Sequence, residues 1–237
     1  MQLVVGHRAN NSLTHDTMRV RRHLILAAAA AFTGEQHLVR TTVRRRGTFR
    51  DAQHELMDGG AAIELAGDAL LADAQRMDFL AANLAIRQPR GVAGVAIKNA
   101  GRAIADAGAK FRHKGGLELA AYAVDEAGVY FGGTECAKSL GRLEAPGAAR
   151  AARAAVDVAT ALSATGKGLY EQSPAATGAG LGAVAGTCEA LADAFDDVPE
   201  LRAAAAQLRA GADRLREGGA VLAGDPEQPK KKKPRRW

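Results

Sequence analysis

Residues 49–84 read FRDAQHELMDGGAAIELAGDALLADAQRMDFLAANL, and this stretch decides the fold class. Phe49, Leu56, Ile63, Leu70, Met77 and Leu84 recur every seven residues, and Gly60, Gly67, Ala74 and Ala81 follow four positions behind. One large and one small residue per heptad is the pattern of a helix that buries a narrow seam against another helix. The expected helix starts near Thr48 and stops at Gln88-Pro89, since proline lacks an amide donor and disfavours helix in the residue before it. At 1.5 Å per residue it is a rod of about 60 Å.

The device recurs downstream. Ile97, Ile104 and Phe111 pair with the small series Gly94, Gly101, Gly108 and Gly115. Lys114-Gly115-Gly116 shifts the register, after which Leu119, Tyr122, Val129, Cys136, Leu140 and Leu143 carry the apolar face to Ala145-Pro146-Gly147. An alanine-rich helix is expected over Ala148–Tyr170, followed by a loop through Ser173-Pro174 and Thr177–Gly180. A further helix begins near Gly180 with Val184, Cys188, Leu191 and Phe195 on one face. Asp196-Asp197-Val198-Pro199-Glu200 reads as a fresh helix start with an acidic cap. Leu201, Leu208, Leu215 and Leu222 then repeat by sevens, with Ala204, Gly211 and Gly218 as the small partners.

Glycine inside a helix costs about 0.8–1 kcal/mol relative to alanine, so glycine repeated in phase needs compensation from close packing. The packing seam is therefore assigned to Leu56, Gly60, Ile63, Gly67, Leu70, Ile97, Gly101, Ile104, Gly108, Leu201, Leu208, Gly211, Leu215, Gly218 and Leu222. Period-2 alternation is nearly absent, which argues against a sheet. The expected fold is all-α, an antiparallel bundle of about four long helices with Gly/Ala-rich heptad seams and left-handed supercoiling. Its expected span is residues 48–224, between a basic lead-in or targeting segment (1–47) and a disordered basic tail (225–237).

The net charge of +6 is segregated. Residues 1–50 carry nine arginines against Asp16 and Glu35, the last twelve residues carry a net +5, and the body between is acidic at −6. A high isoelectric point therefore does not make the folded body a nucleic-acid binder. Near the N-terminus, Met18 opens a basic run followed by Leu24-Ile25-Leu26 and five alanines, the outline of a secretory signal. Read from Met1, the arginine-only composition is that of an organelle transit segment, and a basic amphipathic lead-in helix is the plain alternative. The apolar stretch is about half the ~20 residues that span a bilayer.

No constellation supports catalysis. Gly180-Leu181-Gly182-Ala183-Val184-Ala185 matches G-x-G-x-x-A but has no strand ahead of it, and Thr165-Gly166-Lys167-Gly168 lacks the first glycine and the Ser/Thr of a phosphate loop. Among six histidines only His54, beside Asp51, Glu55 and Asp58, shares helical spacing with acids, and no second histidine completes a metal set. Cys136 and Cys188 read as buried free thiols. No cofactor, metal or integral membrane span is expected.

The most specific motif is Pro229-Lys230-Lys231-Lys232-Lys233-Pro234-Arg235-Arg236. A proline-flanked cationic run has the form of a nuclear-import signal, and equally of a polyanion-binding or merely solubilising tail. Arg44, Arg45 and Arg46 form a second basic cluster. The expected function is a non-enzymatic scaffold or interaction protein that self-associates or binds protein partners through its helices. Its basic ends serve nuclear import or nucleic-acid contact. Two basic ends flanking an acidic rod would bridge nucleic acid, or touch a neighbour's body in an oligomer. The alternative function is an amphipathic binder of lipid or another hydrophobic surface, and the alternative location an organelle.

Overall fold

The computed structural model describes residues 47–80 and 84–224. The basic stretch Lys230, Lys231, Lys232, Lys233, Arg235 and Arg236, the cluster Arg44, Arg45 and Arg46, and the apolar stretch after Met18 lie outside the described residues.

Every regular element described is helical. The order is α1 (Phe49–Leu80), α2 (Leu84–Lys110), α3 (Gly116–Gly132), the short α4 (Thr134–Gly141), α5 (Ala148–Tyr170), α6 (Pro174–Asp196), a 3₁₀ turn (Pro199–Leu201) and α7 (Arg202–Ala223). Six long helices stand where the pattern suggested about four. Each long helix packs on the next, and α7 returns to α1, so the six close a ring, with α4 laid against α2 and α5. Among the described residues no helix is long and apolar enough to cross a membrane.

Three local readings change. Gln88-Pro89 is not a stop: α1 ends at Leu80, and Pro89 lies inside α2, six residues from its start. As the sixth residue it lies just past the first four free amides, so its missing N–H forgoes one intrahelical hydrogen bond, to Ala85, and leaves the rest of α2 intact. Leu84 therefore belongs to α2, and the 32 residues of α1 span about 48 Å rather than 60. Second, Ser173-Pro174 opens α6 instead of lying in a loop. The Ser173 hydroxyl accepts the Ala176 amide at 3.3 Å with proline at the first helical position, and the glycine-rich Thr177–Gly180 stretch is helical. Third, Asp196 and Asp197 do not cap α7, whose start receives no side-chain cap; both carboxylates are taken by arginines.

The face of α3 changes too: Leu119, Tyr122 and Val129 are exposed, and the small residues Ala120, Ala123 and Ala127 with Val124 and Phe131 are buried in their place, while Gly133 breaks the expected run into α3 and α4. The head of α1 and the ends of α2 and α7 fall where the residues place them. Thr48 donates its amide and hydroxyl to the Asp51 carboxylate at 2.9 and 2.8 Å, half of a capping box at the head of α1. Gly115, at φ 73°, takes the left-handed conformation that turns the chain from α2 into α3, and Gly224, at φ 72°, ends α7 in the same way.

All of the seam residues are buried, and they show how the ring closes. Helices α1 and α2 run antiparallel, with Gly60 opposite Gly101 and Gly67 opposite Gly94. On its other side α1 meets α7, where Gly211 lies on Ile63 and Gly59, and Gly218 on Glu55 and Leu56. Leu56 thus sits between Gly108 of α2 and Gly218 of α7. Small residues let neighbouring backbones approach, and Phe131, Phe195, Leu140, Leu162 and Leu191 fill the interior. Ion pairs lace the outside: Lys98–Asp68 and Arg102–Glu64 join α2 to α1 at 2.6 Å each, and Arg214–Glu55 joins α7 to α1 at 3.2 Å.

Candidate interaction surface

The closed ring consumes the seams. Gly60, Gly101, Gly108, Gly211 and Gly218 face this chain's own helices, so a partner could reach them only if the ring opened. What the molecule offers to others lies at its two poles and on its outer faces.

One pole is assembled from the start of α1, the α2–α3 turn, the α5–α6 turn and the end of α7. Thr48, Phe49 and Arg50 share a cleft of about 340 Å³ with Phe111, His113, Gly115, Glu118 and Gln172. The Phe49 and Phe111 rings meet edge to face with centroids 5.5 Å apart, which ties α1 to the end of α2. Gly47 packs against the backbone of Val221, in the last turn of α7. The chain therefore enters the body and leaves it, at Gly224, at the same pole.

That pole carries cations of its own. Arg50, Arg112, His113 and Lys114 are exposed. The Arg112 guanidinium reaches Gln53 Oε1 at 2.5 Å and lies 3.4 Å from His54 Nε2, which leaves it anchored to α1 but without a neutralising charge. Among the described residues none of Arg50, Arg112 and Lys114 forms a salt bridge, whereas Lys110 is paired with Asp106 and Lys167 with Glu171. The local acids are Asp51, turned onto Thr48, and Glu118 and Glu171. Hydrogen bonding from Thr48 holds the Asp51 carboxyl below its usual value, so it stays ionised.

At the opposite pole some arginines are paired, while Arg142, Arg153 and Arg202 are exposed with no salt bridge among the described residues. Arg209 binds Asp193 at 2.7 Å and also Asp196, whose carboxyl it holds below the ordinary range, and Arg150 pairs with Asp197. Asp73 of α1 and Arg90 of α2 form an ion pair nine-tenths buried, with Arg90 Nε lacking a partner among the described residues. Nearby, Leu71, Ala74, Val92, Val95, Ala96 and Tyr130 border an apolar groove of about 580 Å³. Its position could not be read from the heptads, because Val92 and Val95 fall off the seam and Tyr130 reaches them through the packing of α3 on α2.

The remaining candidates settle into structure. Gly180–Ala185 lies inside α6 and Thr165–Gly168 inside α5, and the two stretches pack on each other, with Gly180 against Thr165. His54 faces the Arg112 guanidinium, an arrangement opposite to a metal site, and among the described residues no group of three or more His, Cys, Asp or Glu could hold a metal ion. Cys136 and Cys188 are buried free thiols on α4 and α6, each pushed up to about 12 by burial. Comparison of the chain with known protein families, with characterised proteins and with solved structures finds no match.

Proposed function

We propose that this chain is a non-enzymatic helical scaffold that presents its basic segments to a polyanion, with nucleic acid as the partner. The observation that supports this reading is Gly47 packed on Val221. It brings Gly47, which follows Arg46 in sequence, and Gly224, which precedes the tail carrying Lys230–Lys233, Arg235 and Arg236, to one pole. Lys230 follows Gly224 by six residues, a reach of at most about 20 Å along the chain. Two cationic segments tethered side by side act on one polymer at high effective concentration. The proline-flanked tail also has the form an import receptor reads, and nuclear localisation is part of the proposal.

The test is deletion of residues 226–237. The full chain should bind a short DNA duplex with steep salt dependence. The deletion should reduce the slope of log K against log salt by about 4–5, near 0.9 for each phosphate no longer neutralised. Equal binding by the truncated chain would remove the tail from the reading. Imaging of tagged full-length and truncated chains tests import in the same experiment.

The second reading, a binder of lipid or another hydrophobic phase, draws on the apolar groove beside Val92 and Val95. Against it stands the closed ring, which leaves the heptad seams no apolar face to lay on an interface.

A further inference from the structure

We infer that the basic pole of the folded body is itself a phosphate-contacting surface, with Arg50, Arg112 and Lys114 binding the backbone of the nucleic acid that the terminal segments engage. This rests on the polyanion reading above and adds residues of the folded body to it. Three observations carry it. The side chains come from the first turn of α1 and the α2–α3 turn, which the Phe49–Phe111 contact holds together. All three are exposed and, among the described residues, have no carboxylate partner. Lys138, Arg142, Arg153 and Arg202 are exposed and unpaired elsewhere, but only Arg50, Arg112 and Lys114 border the cleft around Phe49 and Phe111, the last two on either side of its lining residue His113. Unpaired cations gathered at one place create a positive potential that paired ones do not.

The third observation is their location. The pole that carries these unpaired cations also holds Gly47 and Gly224, the residues adjoining the two basic segments in sequence. Arg112 is fixed by Gln53, so it meets a phosphate with little further loss of side-chain freedom, and its planar fork suits two phosphate oxygens. Tyr170, at the end of α5 beside the same pole, is 65% exposed and offers a stacking face to an unpaired base. A nucleic acid fits this set better than an anionic membrane. Phe111 is buried and Phe49 partly so, packed edge to face, leaving those rings unable to insert between acyl chains. Contacts of this kind are to phosphates, so binding should ignore base sequence.

The experiment uses the full chain and a short random-sequence DNA duplex, with binding followed across a salt titration. The variant Arg50→Gln/Arg112→Gln/Lys114→Gln should weaken binding and lower the salt slope by about 2–3, one phosphate charge for each residue. A control, Lys138→Gln/Arg142→Gln, removes exposed cations of α4 and the turn after it and should leave the slope unchanged. Circular dichroism and thermal midpoints of both variants check that the ring is intact. An unchanged slope in the triple variant, or an equal loss in the control, overturns the inference while leaving the terminal segments as binders. Failure of the unmodified chain to bind DNA overturns the polyanion reading as a whole. Retained DNA slope with lost binding to phosphatidylserine vesicles would assign the pole to a membrane and overturn it too.

Discussion

Gly60 of α1 and Gly101 of α2 face each other so closely that a methyl group on either would lie 2.6 Å from the other's carbonyl oxygen. Each would also press on backbone of the opposite helix, at Ala105 and Glu64 respectively. Backbone cannot move aside as a flexible side chain can, so this contact tolerates only glycine.

Gly60→Ala or Gly101→Ala should therefore destabilise by about 3 kcal/mol, at the upper end of ordinary overpacking. Gly182 and Gly186 on the outer side of α6 have open space where a Cβ would stand. Gly182→Ala should instead stabilise by roughly 0.5–1 kcal/mol through helix propensity. Urea midpoints of the variants should move in opposite directions. Stabilisation at both sites would show that the glycines act through propensity alone.

Removing Asp73 strands the buried Arg90 guanidinium. Asp73→Ala should cost about 3–5 kcal/mol, whereas Asp73→Leu/Arg90→Met, which deletes both charges, should restore most of that loss. A double-mutant cycle by chemical denaturation reads the difference. Equal losses for the single and double variants would mean the pair is screened by solvent.

Two carboxylates should titrate with opposite effects on stability. Arg209 depresses the Asp196 carboxyl, so its contribution is full above the ordinary aspartate value and fades as pH falls through the lowered one. Arg209→Gln should lower the thermal midpoint at pH 7, and the gap should narrow in acid. Burial raises the Asp125 carboxyl, which lies over Gly166 with Oδ1 2.5 Å from where a Cβ would be. Its charged form is disfavoured by folding, so stability declines as pH rises from 3.8 through the raised value. Asp125→Asn should raise the midpoint at pH 7 and leave it unchanged near pH 3.

The two thiols should be silent in the native protein. With both pushed up to about 12 and buried, a disulfide reagent at pH 8 should label neither until denaturant is added. Fast labelling of one cysteine in buffer would mean that α4 or α6 opens locally.

The residues alone establish that the protein is helical and which positions of α1, α2 and α7 face inward; on α3 they mislead, because Leu119, Tyr122 and Val129 are exposed while Ala120, Val124, Ala127 and Phe131 are buried. Leu56, Ile63, Ile104, Leu208 and Leu215 recur with a period only a helix satisfies, and the glycines in phase with them are meaningful only where two backbones touch. Its basic segments were equally legible, because a run such as Lys230–Lys233 needs no fold to be cationic. Helix count was not. Whether Pro89 stops a helix or rides inside one, and whether Ser173-Pro174 is loop or cap, depends on what the neighbouring helices bury, and local preferences of a kcal/mol or so do not outweigh that. The count carries a consequence for function. An even number of helices, each reversing the last, returns the chain to the pole where it began, and an odd number would part its ends. Tertiary packing alone, through Gly47 on Val221, brings residues 47 and 224 to one pole and sets Arg50 and Arg112 beside them, because those contacts join helices far apart in the chain.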